Sequence, residues 1–157
     1  MYAAGVLVDN DSAIHNQEVW ENNVYVNYTG AVSILNELIH DNNPYLSRII
    51  GITSIAGLRG RKSNFIYGSA KSGLHQYLFG LRQYLKSYNI IVQAITPGFV
   101  NTKMTKNVPL NKLANSADEI ADAIISNSKS FEVYPNLFWR ILSKIIKYAP
   151  EFIIAKL

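Results

Sequence analysis

The sequence contains no cysteine, and this absence removes several classes of function at once. Disulfide bonds, thiol catalysis and thiolate metal sites all need the missing side chain. The three histidines, His15, His40 and His75, share no spacing that is typical of metal ligands. We therefore predict no metal site and expect solvated or capping roles for these histidines.

Long apolar runs and clustered charges are also lacking. No segment reaches the run of about 18 apolar residues that spans a bilayer, and the opening residues MYAAGVLVDNDS have no basic region of the kind that starts a signal peptide. The 15 Lys and Arg residues are scattered and exceed the 11 Asp and Glu by four. We expect a cytoplasmic protein without a nucleic-acid partner.

Two hydrophobic periods alternate along the 157 residues. Compact apolar runs predict strands at AAGVLV near the start, at 47–54, at 90–96 and at FEVYP. Helical spacing predicts helices at 16–40, at 64–87 and after Ser116, where SADE has the capping-box pattern. This alternation predicts an α/β fold with a parallel sheet covered by helices on both faces, in three α/β/α layers.

The stretch SNFIYGSAKSGL places Tyr67 four residues before Lys71. Chance alone supplies about 0.6 such pairs in a chain of this composition, so two surface residues on one helix face explain the pair equally well at this point. Ser54 ends a predicted strand, where α/β sheets gather ligands. Gly57 and Gly60 then let the loop fold back toward the start of the helix.

Two further features surround this pair. Asn27 lies in VNYTG near the middle of the preceding helix, where its amide could bend the helix or hold a water. The segment PGFVNT, Pro97–Thr102, follows the next strand with a rigid turn, amides and a hydroxyl.

The motifs AAG, VNYTG, ITSIAG, YGSAK and PGFVNT, in this order, resemble those of the short-chain dehydrogenase/reductase family from Tyr2 to about Thr105. The segments AGLRGRKSNFIYGSAKSGL and PGFVNTKMT most resemble sequences of the reductases paired with decaprenylphosphoryl-ribose oxidases. Those reductases act on a 2-keto-pentofuranose carried by a lipid phosphate. The resemblance therefore implies a Rossmann-like, doubly wound sheet and reduction of a keto group with NAD(H) or NADP(H).

The resemblance also implies roles for individual residues. Tyr67 would be the acid/base, Lys71 would lower its pKa and hold the cofactor ribose, and Ser54 would bind the carbonyl oxygen. Asn27 would position a proton-relay water. Further cofactor contacts would come from Ala4, Gly5, Pro97, Gly98, Val100 and Thr102; for Thr102, capping of the next helix is the alternative.

Family members open with a βαβαβ half that carries a Gly-rich turn of the T-G-x-x-x-G-x-G kind, and this sequence has no such turn. We expect residues 1–135 to form the C-terminal part of the catalytic domain and to bind NAD(P)H alone weakly or not at all. A fragment of a normal reductase, one half of a split enzyme and a non-catalytic remnant that acts in assembly or membrane binding all remain open.

The tail, residues 136–157, has the pattern of an amphipathic helix. Arg140, Ser143, Lys144 and Lys147 fall within one arc of about 100° when residues advance by 100° each. Such a basic strip on an apolar helix favours peripheral contact of 137–157 with the inner face of an anionic membrane. Packing on the protein's own body or across a dimer interface is the alternative.

A homodimer through the helices that hold Asn27 and Tyr67 is the other assembly implied by the resemblance. We expect small residues to permit close helix approach there, namely Gly68, Ser69, Gly73 and Gly80.

Overall fold

The computed structural model describes residues 1–40, 43–106, 113–127 and 129–155. Within them lies a parallel sheet with the strand order β1 (Arg48–Ile52), β2 (Ile91–Ile95) and β3 (Glu132–Val133). Arg48 pairs with Ile91 at one end of the sheet, and Ala94 pairs with Glu132. The predicted parallel α/β architecture is confirmed.

Seven α-helices connect and cover these strands in the described part of the chain. They are α1 (Asn10–Ile14), α2 (Gln17–Val24), α3 (Gly30–His40), α4 (Phe65–Tyr84), α5 (Ala117–Ser126), α6 (Leu137–Tyr148) and α7 (Glu151–Ile154). The capping box predicted at Ser116 is present, because its hydroxyl accepts from the Glu119 amide and the Glu119 carboxylate accepts from the Ser116 amide.

Two apolar clusters lie on opposite faces of the sheet, which gives the predicted three layers. One cluster packs Leu74 and Leu78 of α4 and Leu35 of α3 against β1 and β2. The other packs Ile120 and Ala123 of α5 against the residues of β2 and β3 that point the other way. Alternate strand residues therefore face different helices, as a sheet buried on both sides requires.

The strand predicted at AAGVLV, residues 3–8, is wrong, and the bridge to the sheet lies at Tyr2, the residue before that run. Tyr2 forms a parallel bridge with Gly51 of β1, and its amide donates to the Ile50 carbonyl at 2.7 Å. Further along, the Val6 carbonyl accepts from the side-chain amides of Asn23 and Asn27. The backbone at Val6 is therefore bonded to helix side chains and not to the sheet.

The amphipathic tail forms α6, which ends at Tyr148 before Pro150. Ser143 is 1% exposed and faces the protein, so its predicted place in an exposed basic strip is wrong. The remaining strip consists of the exposed residues Arg140, Lys144 and Lys147. Trp139 and Ile146 lie on the face of α6 next to this strip and pack in one buried cluster with Ile55. Residues 156 and 157 of the predicted tail lie outside the described residues.

None of the helices described is both long enough and apolar enough to cross a bilayer.

Candidate active site

The strands β1 and β2 end side by side, and their first following residues are tied together. The Thr53 amide donates to the Ile95 carbonyl at 2.7 Å, and the hydroxyls of Thr53 and Thr96 lie 2.9 Å apart. Two residues after Thr53, the Ile55 amide donates to the Pro97 carbonyl at 3.0 Å. Ser54 and Pro97 are therefore held at the carboxyl edge of the sheet, where this class of fold binds ligands.

The segment after Ser54 turns back onto α4. The Ser54 hydroxyl accepts from the Ala56 amide at 3.1 Å and caps a short 3₁₀ turn, Ile55–Gly57. A Cβ at Gly57 would lie 2.8 Å from the Ser72 amide nitrogen, so only glycine permits this close approach. A Cβ at Gly60 would meet nothing within 4 Å, so the expected need for that glycine is not seen.

Tyr67 and Lys71 lie one turn apart on α4, with the Lys71 ammonium 5.9 Å from the centre of the Tyr67 ring. The Ser54 side chain lies close enough to the Tyr67 phenol to lower its pKa by hydrogen bonding. Lys71 is 3% exposed, and its Nζ donates to the Ile52 carbonyl at 3.0 Å. The sheet edge and α4 thus bring Ser54, Tyr67 and Lys71 into one cluster.

Burial controls the protonation of this cluster. It raises the pKa of the Tyr67 phenol above its ordinary value of 10.0, and the hydrogen bond with Ser54 opposes that rise. This net direction is opposite to the lowering by Lys71 that the resemblance implies. Burial also lowers the pKa of Lys71 to about 8, because the ammonium loses most of its hydration.

Asn27 lies in a π-helical segment, Tyr25–Thr29, between α2 and α3. Its side chain is fully buried, and its amide nitrogen donates to the Val6 carbonyl at 2.8 Å and to the Asn23 carbonyl at 2.9 Å. π-Helical turns inside α-helices are often found at functional sites. The local distortion that the sequence predicts at Asn27 is therefore present.

Gly5 joins Asn27 to the cluster on α4. A Cβ at Gly5 would lie 3.2 Å from the Asn27 Oδ1 and 3.5 Å from the Lys71 Nζ. The Met104 Cε would be 3.2 Å away from the same position, and the neighbouring Ala4 is exposed. A small residue at position 5 keeps a narrow space open beside the lysine.

The segment after β2 contains the other predicted cofactor contacts. Pro97 is buried, whereas Thr102 is exposed and makes a capping box with Thr105 around a 3₁₀ turn, Lys103–Thr105. The Val100 carbonyl accepts from the Thr105 hydroxyl at 2.5 Å. The structure therefore gives Thr102 the capping role that was its alternative.

The sequence model of the short chain dehydrogenase family matches residues 1–113, more than half of the chain. The chain belongs to this family. The chain is also similar in sequence to individual proteins of this family. It is 29% identical over 129 residues to an uncharacterized oxidoreductase of Staphylococcus epidermidis, a match that covers 78% of this chain and 54% of that protein.

Two further relatives have named activities. Identity is 28% over 135 residues to the 3-oxoacyl-(acyl-carrier-protein) reductase FabG of Buchnera aphidicola, covering 78% of this chain and 55% of the relative. The chain is 30% identical over 134 residues to the acetoacetyl-CoA reductase of Allochromatium vinosum, a match that covers 77% of this chain and 54% of that protein. The chain thus spans about half the length of these curated relatives.

Solved structures share the fold. A short chain dehydrogenase from Burkholderia cenocepacia in complex with NADP superposes with a TM-score of 0.85 at 20% identity, covering 99% of this chain and 67% of that chain. One from Sphingobium yanoikuyae in complex with NADPH has a TM-score of 0.71 at 20% identity, covering 91% and 60%.

Two residues near the candidate site were not predicted. Asn23 is fully buried, and its amide donates to the Val6 carbonyl at 3.1 Å beside Asn27. The four-residue spacing of the two asparagines on one helix could have indicated it. Trp139 packs on Gly98, which is distant in the sequence, and no local sequence pattern predicts that contact.

Proposed function

We propose that this short chain dehydrogenase reduces a keto group with a nicotinamide cofactor. The observation that carries the proposal is the cluster in which the Tyr67 phenol lies near the Ser54 side chain and one helical turn from the buried Lys71. Reduction needs a proton for the oxygen on which negative charge develops. At neutral pH the phenol, with an ordinary pKa near 10, carries the proton that this oxygen needs.

Each member of the cluster has a distinct proposed role. Tyr67 donates the proton, and Ser54 holds the substrate oxygen by a hydrogen bond. With a pKa of about 8, Lys71 is mainly an ammonium ion at neutral pH and favours negative charge near the phenol. Asn27 holds the Val6 backbone beside Gly5 and, as the resemblance implies, positions a water for proton relay.

The residues around Gly5 fit the ribose and nicotinamide part of NAD(H) or NADP(H). The narrow space at Gly5 lies next to the Lys71 ammonium, which can donate to ribose hydroxyls. Ala4, Pro97, Gly98 and Val100 would complete the contacts, with Thr102 as a further candidate. When bound, the cofactor supplies the hydride. We expect weak binding by this chain alone, because its sequence has no Gly-rich turn for the pyrophosphate.

Two substrate classes follow from different evidence. The resemblance to the reductases paired with decaprenylphosphoryl-ribose oxidases favours a keto-sugar on a lipid phosphate. The relatives named as FabG and acetoacetyl-CoA reductase favour a 3-oxoacyl thioester. Turnover of acetoacetyl-CoA compared with a lipid-linked 2-keto-pentofuranose separates the two classes.

The test is NADPH oxidation by the wild-type chain and by two tyrosine variants. Tyr67→Phe should lower turnover by about 10²–10⁴-fold, since general acid catalysis contributes that much. Tyr45→Phe is the matched control, because Tyr45 is exposed and has no place in the cluster. Unchanged turnover in Tyr67→Phe would refute the proposal.

The alternative function is that of a non-catalytic remnant or of one half of a split enzyme. This alternative is supported by the coverage of the curated relatives, because the chain matches only about half of the length of each. Calorimetry with NADPH and NADH tests the weak binding expected of this chain, because micromolar affinity would contradict both that expectation and the alternative. An adjacent coding segment for a Gly-rich βαβ unit, found in the DNA upstream of the first codon, would support an enzyme.

Homodimer formation through the helices that hold Asn27 and Tyr67 is part of the proposal; the first of these continues into α3, and the second is α4. An open groove of about 540 Å³ runs between these helices and is lined by Ile39, Tyr77 and Gly80, among others. Gly68 and Gly73 do not serve it as expected, since their missing side chains face Ala56 and Tyr28 of the same chain. Light scattering of wild type and of Ile34→Glu, a change on the exposed side of α3, tests the dimer.

Peripheral membrane contact through α6 is supported by its outward face. Leu137, Ile141 and Ile145 are exposed there beside the three cations of the basic strip. Flotation with anionic vesicles should fall when Ile141 and Ile145 are both changed to serine. Ile125→Ser on α5 is the control, because Ile125 is an equally exposed isoleucine away from the tail. Equal flotation of all three proteins would reject the membrane role.

A further inference from the structure

The indole ring of Trp139, on α6, lies flat against Gly98. A Cβ at Gly98 would be 2.4 Å from three ring atoms, a distance that no real contact allows. Trp139 is 4% exposed, so the ring is fully seated on the turn that follows β2. The Trp139 ring therefore packs directly on Gly98, although the two residues are about 40 positions apart in the sequence.

The same indole also bonds to the far end of the segment between β2 and α5. Its Nε1 donates to the Leu113 carbonyl at 3.2 Å. The two ends of this segment pair directly as well, because the Asn101 amide donates to the Asn115 carbonyl and the Asn115 amide donates to the Phe99 carbonyl, each at 2.9 Å. One side chain therefore holds both ends of a loop of which residues 98–106 and 113–116 are described.

The contact extends to the catalytic edge of the sheet. Trp139 packs in one cluster with Ile55, the residue directly after Ser54. The Ile55 amide donates to the carbonyl of Pro97, which precedes Gly98. The ring therefore touches both segments that flank the proposed substrate position.

We propose that Trp139 is a positioning residue, which fixes the base of the β2–α5 loop beside Ser54 and makes the tail helix part of the site. The inference rests on the proposed function only in that this loop carries the expected contacts of Gly98, Val100 and Thr102. The loop geometry itself can be tested without any turnover. A purely local role in the tail core would leave the loop unaffected.

Hydrogen–deuterium exchange of the full chain separates these cases. Trp139→Phe keeps an aromatic ring but removes the Nε1–H donor, so loss of one hydrogen bond should speed exchange in 98–106 and 113–117 about fivefold. Exchange in β1 should stay unchanged. Ile146→Val is the matched control, because Ile146 belongs to the same cluster as Trp139 and its truncation loosens the tail core without removing the bond to Leu113.

Three results would overturn the inference: unchanged loop exchange in Trp139→Phe, an equal rise in β1, or an equal rise in Ile146→Val. A second readout uses NADPH affinity, which should fall several-fold in Trp139→Phe and stay constant in Ile146→Val. Absence of NADPH binding by the wild-type chain agrees with the weak binding expected of this chain alone and leaves the proposed function as it stands. The exchange measurement still decides the role of Trp139.

Discussion

The Nζ of Lys71 donates to the backbone carbonyl of Ile52 at 3.0 Å, in a position where the lysine is almost completely buried. This bond links α4 to the last residue of β1, so the ammonium group is fixed at the sheet edge. The carbonyl offers only a partial charge, and burial therefore lowers the pKa of Lys71 to about 8 from its ordinary value of 10.5.

The first prediction concerns stability and pH. Above about pH 8 the folded chain releases the Lys71 proton while the unfolded chain keeps it up to about pH 10.5. The unfolded state then binds more protons, so the free energy of unfolding rises with pH by at most about 1.4 kcal/mol per unit. We expect Lys71→Met to lack this rise. Urea unfolding at about pH 7, 8 and 9.5 measures it.

Lys86→Met is the control for that experiment, because Lys86 is exposed on the 3₁₀ turn after α4. Its pH dependence should match that of the wild type. If Lys71→Met and the wild type change in parallel between about pH 8 and 9.5, Lys71 does not have the lowered pKa.

The second prediction concerns the phenol of Tyr67. The hydrogen bond with Ser54 lowers the Tyr67 pKa against the larger effect of burial. Ser54→Ala removes that bond and should raise the pKa further. Carbon NMR of tyrosines labelled at Cζ measures the titration, with Tyr67→Phe to assign the signal. Ser63→Ala, in an exposed part of the preceding loop, should leave the titration unchanged, and an equal pKa in Ser54→Ala would contradict the prediction.

Local patterns were enough to predict most of the helices and strands. The apolar run before Ser54 and the capping box at Ser116 depend on neighbours in the sequence, and both predictions are confirmed. AAGVLV failed because the Val6 carbonyl bonds to side chains about 20 residues away. Composition and spacing do not reveal such a competing partner.

The candidate site divides in the same way. Tyr67 and Lys71 are brought together by one helix, so their spacing already fixes their proximity. The pKa of Tyr67 depends instead on how much water the whole fold removes, which the spacing of two residues on one helix does not reveal. Ser143 was wrongly predicted to be exposed, because a helical wheel shows which residues share a face but not which face packs against the rest of the protein.

The third prediction concerns Asn27 and the π-helical segment. Asn27→Ala removes the amide that donates to the Val6 and Asn23 carbonyls in a fully buried position. We expect a loss of about 1–3 kcal/mol in the free energy of unfolding, the usual cost of unpaired buried groups. Chemical denaturation measures it. Asn22→Ala, an exposed change on α2, should cost less than about 0.5 kcal/mol. Equal effects of the two changes would refute a special role for Asn27.

The fourth prediction tests the fit between Gly98 and Trp139 from the glycine side. Gly98→Ala puts a methyl group where three indole atoms lie within 2.4 Å, so the ring or the turn must shift. Overpacking of this kind costs about 1–3 kcal/mol, which denaturation would measure. Trp139 is one of two tryptophans, and in a Trp20→Phe background its fluorescence should move to longer wavelength as the ring is displaced toward solvent. Gly60→Ala is the matched control, because a Cβ there meets nothing within 4 Å. A Gly98→Ala protein with the stability and emission of that control would show that the indole does not hold this turn.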